Sequence, residues 1–217
     1  MKQKNKIKDN IPKFIKENIE WIILSISIVI VIGLIEDIFA TELMKCDTIA
    51  YSIFIMYLRN PFLTAIMKFI TTLGGAPVLI TISLISIVIL KNKKIGICIT
   101  GNLINITILN IVLKNTVQRP RPEGYRLINE TGYSFPSGHS MVNTAFYGLI
   151  IYFIYKNVKN IALRNALCIL LGILILLIGI SRIYLGVHYA SDVIAGLFIS
   201  LAYLIIVTKI IEKNKKE

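Results

Sequence analysis

The sequence predicts an all-α integral membrane helical bundle: six transmembrane helices, with short interfacial helices beside them. Three observations carry that prediction. Apolar residues make up 55% of the chain and charged residues only 17%, with a mean hydropathy of +0.73; a soluble domain carries about 25% charged residues. The apolar residues come in successive runs near the ~20 residues that a bilayer requires. Most of the 24 Lys and Arg residues fall in alternate gaps between those runs. At 217 residues, without an internal repeat or a low-complexity linker, the chain reads as one membrane-embedded domain over 21–217. A basic amphipathic segment over 1–20 precedes it.

That N-terminal segment holds Lys2, Lys4, Lys6, Lys8, Lys13 and Lys16, with Ile7, Ile11, Ile15 and Ile19 at four-residue spacing. The pattern suits a helix lying on the membrane surface, with Pro12 as its candidate break; a solvated lysine-rich tail fits the same residues. The first span covers 21–39 and meets Glu36 and Asp37 late. A basic start before an apolar run has the outline of a signal peptide, but no small-x-small cleavage pattern closes it, so an uncleaved anchor is expected. Residues 50–70 are broken by Arg59, Asn60 and Pro61 and are expected as interfacial helices. The second span covers 75–90, the third 95–113, the fourth runs from beyond Gly138 to 155, the fifth covers 163–181 and the sixth 191–211.

The flanking charges orient these spans. Lys91, Lys93 and Lys94 lie between spans two and three; Lys156, Lys159 and Arg164 between four and five; Lys209, Lys213, Lys215 and Lys216 after span six. Six spans put all of them on the side of the N-terminal lysines, which the positive-inside rule makes the cytoplasm, with both termini there. Five spans would move the C-terminal lysines outside. The net charge of +12 is a common mark of nucleic-acid binding, but here it reads as topology signal and attraction to anionic lipid. The expected partner is the lipid bilayer, not nucleic acid. Cys46, Cys98 and Cys168 lack the paired spacing of a disulfide framework or a zinc site. Left on the outer side, against the rule, are Lys45, Arg59, Lys68, Lys114, Arg119, Arg121, Arg126 and Arg182. Most of them cluster near two short stretches, and clustered charge at a membrane edge calls for a chemical reason.

Three stretches supply one. The first is Lys114-Asn-Thr-Val-Gln-Arg-Pro-Arg-Pro122 at the end of span three. Arg119 and Arg121 each precede a proline, which makes the backbone extended there and projects cations toward an adjacent cavity. Taken alone, a snorkelling lysine with loop charges explains it as well. The second is Phe135-Pro-Ser-Gly-His-Ser140, where Pro136, Ser137 and Gly138 read as a helix start. First-turn N–H groups attract an anion, and His139 sits in that turn; alone, it is equally a capping motif. The third is Ser181-Arg-Ile-Tyr-Leu-Gly-Val-His-Tyr-Ala-Ser-Asp192. On a helix His188 and Asp192, at i and i+4, share a face. Asp192 then accepts from one imidazole nitrogen and leaves the other free as nucleophile or base; a buried structural His–Asp pair is the plainer alternative.

Six-span topology brings the three stretches to the same side, and both histidines of the chain fall inside them. Two imidazoles, a carboxylate and several fixed cations are what transfer of a dianionic phosphoryl group needs. Cations and helix N–H groups hold the non-bridging oxygens, one histidine attacks in line, and the other protonates the leaving oxygen. As metal ligands only His139, His188 and Asp192 are at hand, and Lys114, Arg121 and Arg182 would repel a divalent cation, so no metal is expected.

The three stretches resemble the tripartite signature of the type 2 phosphatidic acid phosphatase family, related to vanadium haloperoxidases: K-x6-R-P, then P-S-G-H, then S-R-x5-H-x3-D. Here these read Lys114…Arg121-Pro122, Pro136-Ser137-Gly138-His139 and Ser181-Arg182…His188…Asp192, with every position filled. The resemblance runs from Lys114 to Asp192 and on into Ala195-Gly196; the N-terminal third is similar only in hydropathy. It implies that His188 is the nucleophile and forms a phosphohistidine, that Asp192 orients it, and that His139 is the general acid. It also implies that Lys114, Arg121 and Arg182 bind phosphate oxygens, assisted by the Ser137 hydroxyl and the Gly138 N–H, without metal or other cofactor. Arg119 lies outside the strict signature and is expected as a second-phosphate or headgroup contact.

A site at the outer membrane–water interface would take an amphiphile sideways from the bilayer. The expected substrate is a membrane lipid phosphate or diphosphate: undecaprenyl diphosphate first, then phosphatidic acid or phosphatidylglycerol phosphate. A phosphotransferase that passes the phosphate to another acceptor uses the same residues. A lipid or anion transporter is the non-enzyme rival, with Asn102, Asn105 and Asn110 in span three as its polar residues; interhelical hydrogen bonding accounts for them more simply. Oligomeric state leaves no mark in the sequence.

Overall fold

The computed structural model describes residues 2–40 and 44–214, with side chains from residue 18 onward. The side chains of the isoleucine stripe at Ile7, Ile11 and Ile15 and of the N-terminal lysines therefore lie outside what is described, as do Lys215 and Lys216. Among the described residues every regular element is helical: α1 (Lys2–Phe39), α2 (Lys45–Tyr51) continued by a π-helical turn (Ser52–Tyr57), α3 (Pro61–Leu73), α4 (Ala76–Ile89), α5 (Lys93–Val117), α6 (Gly138–Asn157), α7 (Ile161–Tyr184) and α8 (Ala190–Lys213).

The starts of these helices are written in the sequence. Asn60, Asn92, Ser137 and Asn160 each stand just before a helix and accept from a first-turn N–H, of Leu63, Lys94, Ser140 and Leu163 respectively. Pro61 and Pro77 take first-turn positions, where a missing N–H costs nothing. Arg59, Asn60 and Pro61, read as a break in an interfacial stretch, are thus the start of α3.

Helix α6 is the centre of the bundle and packs against α5, α7 and α8; α1 lies on α8, α3 on α7, and α4 on α5. The core around it combines Phe146, Tyr147, Leu149 and Phe153 with Leu79 of α4, Ile99 of α5, and Ile175 and Ile178 of α7. Its polar residues answer backbone groups at the breaks of its neighbours. Asn143 Nδ2 donates to the Gly74 carbonyl at 2.9 Å, and Tyr147 Oη to that of Leu73 at 2.9 Å. These two carbonyls end α3, and α4 sets off at 42° to it. The bend is therefore built from a Gly74-Gly75 break whose exposed carbonyls α6 satisfies, as a hydrocarbon setting demands.

The six-span count is not confirmed. By length and apolarity four helices qualify: residues 18–39 of α1, and α5, α7 and α8; the bent pair α3–α4 makes a fifth if it is one span. The expected second span is thus the second limb of that pair, and part of the expected interfacial stretch is its first. Helix α6 has 20 residues, about 30 Å. It fails on composition because His139, Asn143 and Thr144 occupy its first half, a composition that neighbours on three sides make tolerable. Of the span-three asparagines, Asn102 donates to the Ala145 carbonyl at 3.1 Å and Asn110 to that of Pro136 at 3.3 Å, joining α5 to α6 as expected; Asn105 is exposed.

Alternation of α5 to α8 brings the end of α5, the start of α6, the end of α7 and the start of α8 together. The opposite end is basic, and is tied by Lys156–Glu212 at 2.8 Å and Lys209–Glu20 at 2.6 Å. Close helix approach at the site end depends on Gly196 of α8. A Cβ there would lie 3.0 Å from Met141 N and 3.1 Å from Ser137 O. Both are backbone atoms in the first turn of α6 or its cap and cannot yield as a side-chain tip would. Gly196→Ala is expected to wedge α8 from α6, with a stability loss of about 1–3 kcal/mol, read as a lowered unfolding temperature in detergent. An unchanged temperature would show that the contact is slack.

A candidate active site at the joined helix ends

The α7–α8 turn, residues 185–189, carries His188, which is buried. Its tight path needs Gly186 at φ +71°, and a Cβ there would strike the Tyr125 carbonyl at 2.5 Å. The long α5–α6 connection, residues 118–137, clamps over this turn through Leu127 N donating to the Leu185 carbonyl at 2.9 Å. Two predicted stretches are held together here by backbone alone. Ser137 N donates to the Asp192 carbonyl at 3.1 Å, which fixes the start of α6 against the start of α8.

His188 Nε2 lies 3.0 Å from Arg121 Nη1. A guanidinium only donates, so Nε2 must offer its lone pair and the ring proton sits on Nδ1. Nδ1 faces Asp192 Oδ2 at 3.4 Å and Ser134 Oγ at 3.3 Å. Burial pushes the imidazole down to about 4, against the pull of Asp192 in the other direction. It is therefore neutral at pH 7, with Nε2 basic and aimed at a cation. The predicted spacing of His188 and Asp192 holds its purpose, though His188 stands in the turn and Asp192 in the first turn of α8.

Arg121 is locked. Its Nε donates to the Gly132 carbonyl at 3.0 Å, Nη2 to that of Thr131 at 3.0 Å, and Nη1 to that of Val187 at 2.9 Å. Carbonyls fix its position without cancelling its charge; the Glu130 carboxylate is 4.0 Å away. Arg182, 1% exposed, donates from Nη1 to Thr71 Oγ1 at 2.8 Å and from Nη2 to Glu130 Oε1. Lys114 Nζ donates to the carbonyls of Tyr133 and Ser134 and reaches beneath Gly138, where an added Cβ would meet Lys114 Cε at 3.9 Å. His139, partly buried in the first turn of α6, lies within electrostatic reach of Arg182, Glu130, His188 and Arg121. Ser137 caps that helix, its Oγ accepting from Ser140 N at 3.4 Å and Ser140 Oγ at 3.0 Å. The structure thus gathers His139, His188, Asp192, Lys114, Arg121, Arg182, Ser137 and Gly138 at one end of the bundle. Among the described residues no three of His, Cys, Asp and Glu converge as a metal-binding group.

Arg119 departs from its expected place at a headgroup. Its Nη1 donates to Asp192 Oδ1 and Ser191 Oγ, each at 2.7 Å, and its Nη2 to Asp47 Oδ2 at 2.9 Å, while its guanidinium stacks on Tyr189 at 4.1 Å. It is a buried cation between two buried carboxylates. Sequence reasoning missed Asp47, Ser134, Glu130 and Thr71. One signal was present: outer-side cations in excess require counter-ions, and Asp47 and Glu130 lie in segments assigned to that side. A cavity of about 280 Å³ opens beyond His188, with Asp47, Tyr51, Tyr125, Ile183 and Tyr189 in its wall; His139 and Arg182 do not line it.

The family model of the PAP2 superfamily matches residues 96–216. The chain belongs to the PAP2 superfamily. Phosphatidylglycerophosphatase B of Bacillus subtilis (strain 168) is 33% identical over 163 residues, covering 73% of this chain and 80% of that protein. Undecaprenyl-diphosphatase of Sulfolobus acidocaldarius is 27% identical over 186 residues, covering 81% of this chain and 80% of that one. The crystal structure of a transmembrane PAP2 type phosphatidylglycerolphosphate phosphatase from Bacillus subtilis superposes with a TM-score of 0.77 at 29% identity, over 88% of this chain and 96% of that one. The present PAP2 protein is accordingly a multi-pass membrane enzyme, a lipid phosphatase that hydrolyses phosphate esters.

The trio of Asp47, Arg119 and Asp192 generates a stability test. Arg119→Met strands two carboxylates, 4% and 0% exposed. Breaking a buried pair by removing one partner costs about 3–5 kcal/mol, so the variant is expected to unfold at markedly lower temperature in detergent. Wild-type thermal stability would mean that the carboxylates find other partners.

Proposed function

We propose that this PAP2 enzyme cleaves a membrane lipid phosphate or diphosphate through a phosphohistidine on His188, without a metal, at the extracytoplasmic face. The observation that carries the reading is the orientation of one imidazole: Nδ1 toward Asp192 and the Nε2 lone pair toward the locked guanidinium of Arg121. A phosphoryl oxygen held by Arg121 brings phosphorus within reach of Nε2.

Each step follows from a named group. Arg121, Arg182 and Lys114, with the first-turn N–H of Gly138 and the Ser137 hydroxyl, hold the non-bridging oxygens. His188 Nε2 attacks phosphorus in line; the P–O bond to the leaving group breaks, and His139, which takes up a proton as the phosphate oxyanions come to lie beside it, gives that proton to the leaving oxygen. The positive charge arising on the phosphorylated imidazole is stabilised across Nδ1–H by Asp192. Water then attacks the phosphohistidine, His139 takes its proton, and the P–N bond breaks to restore neutral His188 and release phosphate. Glu130 occupies part of the cation cluster through Arg182, so an incoming phosphoryl group competes with a carboxylate there.

The basic end of the bundle, opposite to the site, supports cytoplasmic termini and an extracytoplasmic active site. Relatives named for phosphatidylglycerophosphate and for undecaprenyl diphosphate put both lipids forward; the higher identity of the Bacillus relative, 33% against 27%, gives phosphatidylglycerol phosphate first place and the expected undecaprenyl diphosphate second. The decisive experiment is phosphate release from both lipids and from phosphatidic acid by purified enzyme in detergent with chelator present. His188→Ala is expected to abolish turnover and the phosphoenzyme. His139→Ala should slow turnover more as the leaving group becomes more basic. Full activity of His188→Ala, or loss under chelator restored by metal, would defeat the mechanism; lipid product without free phosphate would favour transfer over hydrolysis.

Acid inactivation supplies a second test. His188 attacks only when neutral, and burial keeps it neutral down to about pH 4. The kcat/KM value is therefore expected to hold its acid side until pH falls through about 4, and to decline below it as Nε2 takes a proton. A limb near 6.5, the ordinary histidine value, would mean that His188 is not desolvated in the working enzyme.

A further inference from the structure

Asp47 stands outside every stretch that sequence chemistry singles out, yet it is 4% exposed and engaged on both oxygens. It belongs to the seven-residue α2. Its Oδ1 accepts from Ser191 N at 2.8 Å; its Oδ2 accepts from Ser191 Oγ at 2.8 Å and from Arg119 Nη2 at 2.9 Å. Arg119 Nη1 reaches Asp192 Oδ1 at 2.7 Å, and Asp192 Oδ2 faces His188 Nδ1. Asp47, Arg119, Asp192 and His188 thus form one continuous line of contacts.

The division of Arg119 is the informative feature. A guanidinium facing a lone carboxylate closes on both oxygens with two parallel bonds. Here Asp47 takes Nη2, so Arg119 holds only Oδ1 of Asp192 and leaves Oδ2 to the imidazole, to Ser134 Oγ and to Tyr189 N. We propose that Asp47 is a positioning residue for phosphoryl transfer, which divides the Arg119 fork and so reserves one oxygen of Asp192 for His188. This rests on His188 being the nucleophile. Without the Asp47 charge, Arg119 turns its second nitrogen to Asp192, and the support for positive charge on the imidazole weakens. The other groups facing His188 are unchanged by that substitution: Arg121 and Ser134 of the 118–137 connection, Arg182 of α7 and His139 of α6, with Lys114 and Glu130 acting beyond them.

The test is Asp47→Asn in the full-length enzyme, with Asp47→Ser carrying the same expectation should the first not fold, and Asp47→Glu as the charge-restoring variant. Turnover is followed across pH with the lipid hydrolysed fastest by the wild type. Expected are a kcat lower by about tenfold or more, the scale on which groups that orient a reactive side chain act, a KM within about twofold, an acid limb displaced to lower pH, and partial recovery in Asp47→Glu. A wild-type kcat and acid limb, even with lowered thermal stability, would reduce Asp47 to a cap on α8; a raised KM with kcat retained would make it a substrate contact. Either result overturns the proposal. His188→Ala runs alongside: turnover in that variant would sink the nucleophile assignment itself, whereas its inactivity beside a wild-type-like Asp47→Asn sinks only the role of Asp47.

Discussion

Asp192 lies fully buried at the start of α8, where an ionised carboxylate costs several kcal/mol unless its lone pairs are met. The architecture at this end of the bundle can be traced to meeting them. Arg119 comes from the α5–α6 connection, Ser134 from farther along it, Tyr189 N from the turn before α8, and His188 from the same turn. Two chain segments, the α5–α6 connection and the α7–α8 turn, are tied to a single side chain of α8. The imidazole gains its orientation from the same bonds that make the carboxylate tolerable, so stability and reactivity share one set of contacts here.

The cations around that node divide into two kinds. Arg119 is neutralised by carboxylates on two sides. Arg121 is fixed by carbonyls, which orient a guanidinium while leaving its field nearly whole. The first arrangement suits holding a catalytic group, the second suits meeting an anion. Two arginines two residues apart, each before a proline, therefore stand in different surroundings, and on the proposed mechanism they do different work.

Much of this was legible in the chain. The motif residues sit at or beside helix ends, where short-range rules hold: Ser137 caps α6, and the i, i+4 pair meets across the start of α8. Helix polarity then brings C-terminal and N-terminal ends together, so the joining of three stretches follows from counting. What was not legible came from long-range packing. Nothing local marks Asp47 as the partner of a residue more than seventy positions away, or Thr71 as an acceptor for Arg182. The role of Arg119 was misplaced for the same reason, since its nearest carboxylates lie on α2 and α8. The bend between α3 and α4 escaped because hydropathy sees two apolar runs and a Gly pair, whereas the answering groups, Asn143 and Tyr147, are on α6. Span counting by apolarity passes over α6 because a helix enclosed by others is free to be polar.

The charge triad of Asp47, Arg119 and Asp192 also bears on how such an enzyme can change over evolutionary time. Loss of Arg119 alone would leave two carboxylates without their shared cation in a dry interior. Descendants of this sequence should therefore exchange position 119 only together with its acidic partners, although 47 lies far from it along the chain.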